Sequence, residues 1–589
     1  MARRPRLLAG FLGAALLLAL IGGGFWLWRT LPPTTGLVGT PQPGPVSAPG
    51  ELPSAIPSGS LEGTAVALLE EPENLRATPP GFYDAEVSAW RDLLRDAGAR
   101  IVGPGEATAL VLPWGACLGA AQRNLVVRHL GAGGGIVAVG PVGFGDRVCE
   151  PTADTLLYGL VGGPAAVAEL GDPEGSRYAI ALGETVLAAG VPPGARVEVR
   201  PAAYQFVFRS QERDVYYGDF ERSPRAHAEE RFFDGAIART LVGPGRAVIF
   251  GFALNHVEPG WSRDVARRIA TNAVLWAAGR PVAQIAAWPG GARAGVVIAQ
   301  DVQARPEDVR NVASAAAGRA PVTFFASATA ARDHGDALRA AALAGEVGLR
   351  PAEGERIEEG PEERRARRLS DARDALTRAA GAEVVGYHTG GGLPDARTLG
   401  AWRAAGGEYV YGTSDLRSAG PEIVPLGSDS LVLIVRATPD DFHYLSVDGV
   451  RDRGELVSRF LGDVDRVAEF RGLFVMGTHT HSLGRGELLP VLVAVMDEVA
   501  GDSTLWAGTA AHAAAWWRDR AAVRVEAGPA DATLSVVNGG RRDLTGAVLL
   551  VDRAGRERVR VMLPDLAAGE RYDLRLQAPA PDTAAAREG

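Results

Sequence analysis

Residues 294–301 read AGVVIAQD, an apolar run that ends in a carboxylate, Asp301. A short apolar run without polar alternation is typical of a buried strand in a parallel sheet. Two later runs have the same form: EVVGYHT carries His388 near its end, and GLFVMGTHTH carries His479 and His481. Because the carboxyl ends of parallel strands meet at one edge of a sheet, we expect these side chains to face a common site.

The residues around these runs, 283–520, alternate between strand and helix patterns. The segments PVTFFAS, EVGL, YVYGTSD and LVLIVRA are further candidate strands, and the apolar periodicity predicts helices over 362–380 and 455–470. Strands with intervening helices in this arrangement favour a barrel-like α/β fold.

The polar strand ends allow two interpretations. One carboxylate with two histidines would satisfy a divalent metal, so Asp301, His479 and His481 are candidate metal ligands, and together with His388 they are candidate catalytic residues. His443, in TPDDFHY, is a further candidate. The alternative is that these are ordinary polar residues of loops.

The order of the segments resembles the NodB-homology polysaccharide deacetylases, a family of distorted (β/α) barrels. That family removes acetyl groups from N-acetylated sugars with a divalent metal, usually zinc. GVVIAQD is similar to its first motif, in which Asp301 takes the place of a metal ligand. GLFVMGTHTHSLG is similar to the last motif, so the resemblance implies that His479 or His481 is the acid histidine.

The sequence departs from the family at most of the catalytic positions. Gln300 stands where the family has its catalytic base, and Arg350 and Gly354 stand where it has two metal-binding histidines. His388 replaces the arginine of the third motif, while Asp415 lies near a position that the family keeps acidic. Glutamine accepts no proton at neutral pH, and arginine has no lone pair for a metal.

These departures leave two functional classes open. In the first, the barrel binds a polysaccharide or cell-wall glycan, or organises an envelope complex, without chemistry. In the second, a rearranged site around Asp301, His388, His479 and His481 still hydrolyses an amide or ester, with zinc or another divalent metal as its cofactor. The net charge of −9 argues against nucleic acid as a partner.

Residues 61–282 form an earlier α/β pattern, in which GTAVALLEE, ATALVLPW and GIVAVGP are candidate strands separated by amphipathic helices. This region resembles the class I glutamine amidotransferase-like fold. Its LVLPWGACLGAAQ segment holds Cys117 in a Gly-x-Cys-x-Gly pattern, and NHVEPG supplies His256 and Glu258, so a Cys-His-Glu triad is conceivable. Strand counting favours a structural or ligand-binding domain instead, because the family's nucleophile would follow GIVAVGP, where none stands.

The amino terminus has the pattern of a membrane anchor, assigned to residues 1–30. Three arginines precede the uncharged run Leu7–Trp28, which is long enough to cross a bilayer and lacks a small-x-small cleavage site. We expect a single transmembrane helix at the cell membrane with the bulk of the chain outside the cytoplasm; a cleaved signal peptide is the alternative. The Pro/Gly-rich residues 31–60 are a candidate linker.

The carboxyl terminus has a third pattern. Short alternating runs with turn signals over 521–577 predict a small all-β sandwich, and 578–589 is expected to be disordered. The chain is therefore interpreted as an α/β multidomain protein with this sandwich at its end. Its two cysteines, Cys117 and Cys149, form either a disulfide or two buried thiols.

Overall fold

The structure is a computed structural model that describes most of the chain after the amino-terminal segments. The described residues are 56, 59–71, 78–140, 142–143, 178–200, 206, 208, 214–218, 235–303, 305–352, 355, 357, 359–390, 394–412, 417–527 and 533–576. Within them, no helix combines the length and the apolar character that a membrane span requires. The expected anchor at 1–30, most of the linker at 31–60, the tail at 578–589, and Cys149, Gly354 and Asp415 lie outside the described residues.

The first domain is built on a mixed nine-stranded sheet in the order β2-β1-β3-β4-β9-β8-β7-β5-β6. The strands are β1 (Ala65–Leu68), β2 (Arg100–Ile101), β3 (Ala109–Leu112), β4 (Gly135–Val139), β5 (Tyr178–Ala181), β6 (Arg196–Glu198), β7 (Val215–Tyr217), β8 (Gly235–Val242) and β9 (Gly245–Phe250). The helices are α1 (Phe82–Asp96), α2 (Ala120–Gly131) and α3 (Trp261–Ala277).

The pairing within this sheet changes along its length. The pairs joining β2, β1, β3, β4 and β9 are parallel, as the strand-helix alternation predicted. From β9 through β8, β7 and β5 to β6 every pair is antiparallel, which the sequence pattern did not indicate. The two halves share one core, in which α1 and α3 bury apolar faces that include Trp90 and Ile269.

The second sheet carries the strands whose ends are polar. Its members, preceded by β10 (Val282–Ile285), are β11 (Ala294–Asp301), β12 (Val322–Ala326), β13 (Gly345–Leu349), β14 (Gly386–His388), β15 (Tyr409–Gly412), β16 (Glu422–Leu426), β17 (Asp429–Val435), β18 (Leu473–His479) and β19 (Leu505–Ala507). The helices are α4 (Val309–Ala316), α5 (Ala328–Asp333), α6 (Gly335–Ala344), α7 (Glu362–Ala380), α8 (Ala396–Ala404), α9 (Arg453–Glu469), α10 (Leu489–Gly501) and α11 (Ala510–Ala522).

This sheet is an open half-barrel, where the sequence pattern predicted a barrel-like α/β fold. Its order is β16-β17-β15-β14-β13-β12-β11-β18, with β19 also paired to β11. All its pairs are parallel except the β16–β17 hairpin, and the edge strands β16 and β18 do not pair with each other in the described part of the chain. The parallel order still brings the carboxyl ends of β11, β14 and β18 to one edge.

The carboxyl-terminal module consists of two three-stranded sheets. Its strands are β20 (Val523–Ala527), β21 (Thr533–Asn538), β22 (Val548–Asp552), β23 (Val559–Met562) and β24 (Arg571–Arg575). One sheet has the order β20-β21-β24, and the other has the order β10-β22-β23, so a strand that precedes the half-barrel pairs with the module. Trp288 and Trp517 pack in one core with Leu534 and Leu549, which joins the module to the half-barrel.

Candidate functional site

Three strand ends of the half-barrel bring Asp301, His388 and His479 together, as the sequence pattern predicted. Asp301 ends β11 and is in register with His479 at the end of β18. The Nε2 atom of His388 lies 3.3 Å from Asp301 Oδ1, and the Nε2 atom of His479 lies 3.9 Å from Asp301 Oδ2. All three side chains are largely buried, so this is a fixed cluster below the sheet edge.

His481 stands apart from this cluster. Its side chain is exposed beyond the end of β18, and its ring centroid lies 5.3 Å from that of His479. The two histidines are two residues apart, but the strand ends at His479, so the alternation that would direct both to one face stops between them. The structure therefore places one histidine of this pair beside Asp301.

Arg350 brings a positive charge to the same carboxylate. It directly follows β13, and its Nη1 atom lies 3.9 Å from Asp301 Oδ2. Burial by itself would raise the pKa of Asp301, but the neighbouring His388, Arg350 and His479 outweigh burial and hold that pKa far below its usual range. A carboxylate with so low a pKa is a poor base at neutral pH.

Gln300, at the position where the deacetylase resemblance implies a base, is held in place by a neighbouring strand. Its side chain is fully buried, and its Oε1 atom accepts a hydrogen bond of 3.0 Å from Thr478 Oγ1 on β18. An amide in this position cannot take a proton from water. The two residues that would supply carboxylates in the first motif therefore give one amide and one carboxylate with a depressed pKa.

Asp441 orients His479, and this pairing was missed by the sequence reasoning. Asp441 Oδ1 lies 2.6 Å from His479 Nδ1, and its Oδ2 accepts a 2.9 Å hydrogen bond from the backbone N–H of His479. Burial alone would lower the pKa of His479, but Asp441, Asp301 and Asp440 raise it to about 9. The signal was the doubled aspartate in TPDDFHY, the segment in which only His443 was singled out.

Asp440 and Arg436 complete the polar layer. Arg436 Nη1 donates a 2.8 Å hydrogen bond to Asp440 Oδ2. A side chain at Gly477 on β18 would crowd the Arg436 guanidinium, so the glycine leaves room for that group. His443 turns away to Asp448, 3.4 Å from its Nε2, rather than joining Asp301.

These groups line a cavity of about 60 Å³, whose walls include Asp301, His388, Tyr411, Asp440 and His479. Three carboxylates, of Asp301, Asp440 and Asp441, face the two guanidiniums of Arg350 and Arg436 and the imidazole of His479. The cavity has room for a small polar group, such as a hydroxyl or an acetyl oxygen, with donors and acceptors on several sides. Such a lining can bind and orient, and His479 can donate a proton.

The residues present do not fit the zinc site that the family resemblance implies. Across the described residues, no group of three His, Cys, Asp or Glu side chains is arranged to hold a metal ion. The Asp301 carboxylate, which would be a ligand, instead contacts the guanidinium of Arg350. A fixed cation there repels a second one and offers no lone pair.

In the first domain, the residues of the conceivable Cys-His-Glu triad have other partners. Cys117 is disulfide-bonded, so its sulfur is not a free nucleophile; the other cysteine, Cys149, lies outside the described residues. Glu258 forms an ion pair with Arg200, 2.6 Å apart, and the His256 ring packs edge-on against Phe82 with 5.0 Å between centroids. These partners differ from those of a working Cys-His-Glu triad.

Comparison with known proteins gives fold neighbours at low identity. No protein-family model and no curated protein matches the chain. A Mycobacterium smegmatis protein assigned as a polysaccharide deacetylase is 20% identical, covering 40% of this chain and 93% of its own, with a TM-score of 0.36. The carbohydrate deacetylase Agd3 is 10% identical, covering 88% and 99%, with a TM-score of 0.37. A mutant of a carbohydrate esterase family 4 pseudoenzyme with restored activity is 12% identical, covering 37% and 67%, with a TM-score of 0.26.

Proposed function

We propose that the half-barrel binds a cell-surface polysaccharide or cell-wall glycan and does not deacetylate it. The contact between Arg350 and Asp301 carries this proposal. It places a permanent cation of the protein against the carboxylate that the motif would otherwise offer to a metal. Without the metal, both the Lewis acid and the source of hydroxide are missing from the chemistry of the family.

The surroundings of the cavity suit a sugar. Hydroxyl and acetamido groups need hydrogen-bond donors and acceptors close together, and the side chains of Arg436, Asp440 and His479 supply them. Tyr411 lines the same cavity and offers an aromatic wall beside these polar groups. Binding sites that combine an apolar platform with a few placed polar groups are typical of small-molecule recognition.

A second candidate function is hydrolysis of an amide or ester by the rearranged site. The observation that favours it is the Asp441–His479 pair, which keeps an oriented imidazole with a pKa raised to about 9 as a proton donor. The Asp301 pKa, held below its usual range, argues against this candidate because it leaves no good base beside the cavity.

An acetate-release assay separates the two functions. The full chain is incubated with chitin oligomers or peptidoglycan, with and without added zinc or cobalt, beside the Asp301→Ala and His481→Ala variants. We expect no release above background in any sample. Metal-dependent acetate release that either substitution abolishes would overturn the binding proposal and establish a rearranged active site.

Binding itself is measured by retardation of the chain in gels that contain an acetylated glycan. His479→Gln and Asp440→Asn should each weaken retention by about tenfold, since each removes one strong polar contact from the cavity wall. Leu343→Ala is the matched control, because Leu343 is an exposed apolar residue on another element. Retention that is unchanged in both site variants would refute glycan binding at this cavity.

We further propose that a single amino-terminal helix holds the chain at the cell membrane, with the bulk outside the cytoplasm. The uncharged run Leu7–Trp28 and the arginines before it support this topology. A reporter that is active only outside the cytoplasm, fused within residues 31–60, should be active. A cytoplasm-only reporter that is active at the same point would contradict the topology.

For residues 61–282 we propose a structural or ligand-binding role on an amidotransferase-like fold. The disulfide at Cys117 supports this role, because it blocks the sulfur that such chemistry needs. Ammonia release from glutamine should therefore stay at background for the full chain. Glutamine hydrolysis that disappears in Cys117→Ala would contradict this assignment.

A further inference from the structure

A second cavity lies where the first domain, the half-barrel and the carboxyl-terminal module meet. Its volume is about 730 Å³, within the range of sites for small molecules. Its walls come from Gly190 and α3 of the first domain, from β10, from Ile423 and Trp517 of the half-barrel, and from Val525 at the start of the module. It is separate from the cavity around Asp301, with which it shares no lining residue.

Positive charge dominates this cavity, although the chain as a whole carries a net charge of −9. Four arginines line it, Arg268, Arg280, Arg520 and Arg524, against two acidic residues, Glu62 and Glu526. Glu526 already faces Arg524 at 4.0 Å and Arg571 at 3.4 Å. Arg268 and Arg520 are therefore the two arginines for which an anionic ligand would be most favourable.

Both guanidiniums are held in place by backbone oxygens and not by carboxylates. Arg268 Nε donates to Ala189 O at 2.8 Å, and Arg520 Nη2 donates to Ile285 O at 3.0 Å. In the part of the chain that the structure describes, neither forms an ion pair. Arg520 also lies over the Trp517 ring, 4.8 Å from its centroid. These contacts fix the orientation of each group and leave other N–H donors free.

The space around Arg268 is shaped for a guanidinium. Gly190 has a φ of 77°, and a Cβ there would lie 2.8 Å from Arg268 Nη2. Burial lowers the pKa of Arg268 to about 10, and burial lowers the pKa of Arg520 to about 10 although Glu184 opposes it. Both side chains nevertheless keep accessible surface, because they face the cavity. A buried cation that lacks a paired anion is unfavourable, and an anion bound in the cavity beside either guanidinium would relieve that.

We propose that this cavity is a second binding site, which takes a small anionic ligand whose carboxylate or phosphate groups pair with Arg268 and Arg520. Guanidinium groups bind both anions through paired hydrogen bonds. The volume admits a ligand of the size of a short acidic oligosaccharide, and Trp261 and Trp517 provide apolar walls for its remainder. This site is independent of the glycan proposed for the half-barrel.

Calorimetric titration of the full chain at low salt tests the site with three probes. These are a galacturonic acid trimer for a carboxylate ligand, pyrophosphate for a phosphate ligand, and maltotriose as the neutral control. We expect saturable binding of at least one anion, weakened by salt, and none of maltotriose. Arg268→Gln and Arg520→Gln should each weaken it at least tenfold, while Arg332→Gln, an exposed arginine of α5, should leave it unchanged.

Chemical protection of the arginines tests the same site in the unmodified chain, so it does not depend on whether a variant folds. An arginine-specific dicarbonyl reagent is applied to the unmodified chain with and without the bound anion, and peptides are analysed by mass spectrometry. The anion should protect Arg268 and Arg520 but not Arg332. Failure of both anions to bind, equal affinity in all variants, or no protection of Arg268 and Arg520 would each overturn the proposal.

Discussion

At the scale of single residues, the chemistry available to the half-barrel depends on which side chain lies beside Asp301. Arg350 supplies positive charge next to this carboxylate, which stabilises its ionised form as a metal would. A guanidinium forms no coordination bond, so it cannot activate a water or polarise a carbonyl as a metal does. Arg350 therefore balances the charge of Asp301 but supplies no Lewis acid. In the sequence, Gln300 and Arg350 already depart from the motifs that the deacetylase resemblance implies.

The Asp441–His479 pair makes a prediction about proton binding. Asp441→Asn removes the carboxylate that most strongly raises the pKa of His479, so that pKa should fall from about 9 by at least one unit. Titration of the His479 ring by NMR, assigned with His479→Gln, measures this shift. Asp336→Asn on the exposed surface of α6 is the control. An unchanged His479 pKa in Asp441→Asn would show that the pairing is not formed in solution.

The same pKa implies a pH dependence of stability. The pKa of His479 in the folded chain, about 9, lies above its ordinary value of 6.5, so the protonated ring stabilises the fold. This contribution, roughly 3 kcal/mol at most, is complete below about pH 6.5 and is lost as the pH rises through about 9. Urea unfolding at pH 6.5 and pH 10 should show a smaller loss for His479→Gln than for the unmodified chain. Equal losses would contradict the assignment.

The sequence pattern predicted the site residues that lie at the ends of strands, but not the one that lies in a loop. Asp301, His388 and His479 were found because each ends a strand, and parallel strand ends meet. Asp441 was missed because it lies in a loop, and periodicity says nothing about where a loop side chain points. His481 was assigned to the site because it neighbours His479, but the strand ends before it.

At the scale of elements, the half-barrel separates a polar edge from an edge that holds the fold together. Near the amino end of β13, the buried Glu346 accepts hydrogen bonds from Tyr409 OH at 2.8 Å and from the backbone N–H of Ala511 at 2.9 Å. These bonds attach the start of α11 to the sheet. The function of this edge is therefore structural, opposite the edge that carries Asp301.

Tyr409→Phe tests that separation. The substitution leaves Glu346 Oε1 without its buried donor, so the free energy of unfolding should fall by about 1–3 kcal/mol. Glycan retention should not change, because the site is at the other edge. Tyr572→Phe, on the partly exposed strand β24, is the control and should stay within about 0.5 kcal/mol. Loss of retention in a stable Tyr409→Phe chain would contradict this division.

The sequence predicted the bounds of an element correctly where its apolar periodicity was regular and its end was marked by a glycine. The helix expected over 362–380 is α7 with the same bounds, because its apolar stripe is regular and it ends at Gly381 in the left-handed region. The antiparallel half of the first sheet was not anticipated, since strands as short as β6 and β7 carry too little pattern. The sequence predicted a barrel-like fold but not that the sheet is an open half-barrel, because strand counting cannot tell an open sheet from a closed one.

At the scale of the whole molecule, the half-barrel and the carboxyl-terminal module share a core and a strand pairing. β10, which precedes the half-barrel, pairs with β22 of the module. Leu549 of β22 is fully buried in the cluster that also contains Val297 of β11. We therefore expect the two parts to unfold together.

Leu549→Ala measures this coupling. The cavity left behind should lower stability by about 2–5 kcal/mol, and hydrogen exchange should speed up in β11 as well as in β22. Met562→Ala, at a residue that is 61% exposed, is the matched control and should change neither. Faster exchange confined to residues 548–562 would show that the module opens on its own.

The most direct test of the account is the metal content of the full chain. The purified protein is equilibrated with zinc, dialysed and analysed by mass spectrometry for bound metal, beside Asp301→Ala. Because Arg350 contacts the Asp301 carboxylate and no other described side chains complete a ligand set, we predict no zinc that depends on Asp301. One zinc per chain that disappears in Asp301→Ala would contradict the central proposal that Arg350, and not a metal, neutralises the Asp301 carboxylate in this half-barrel.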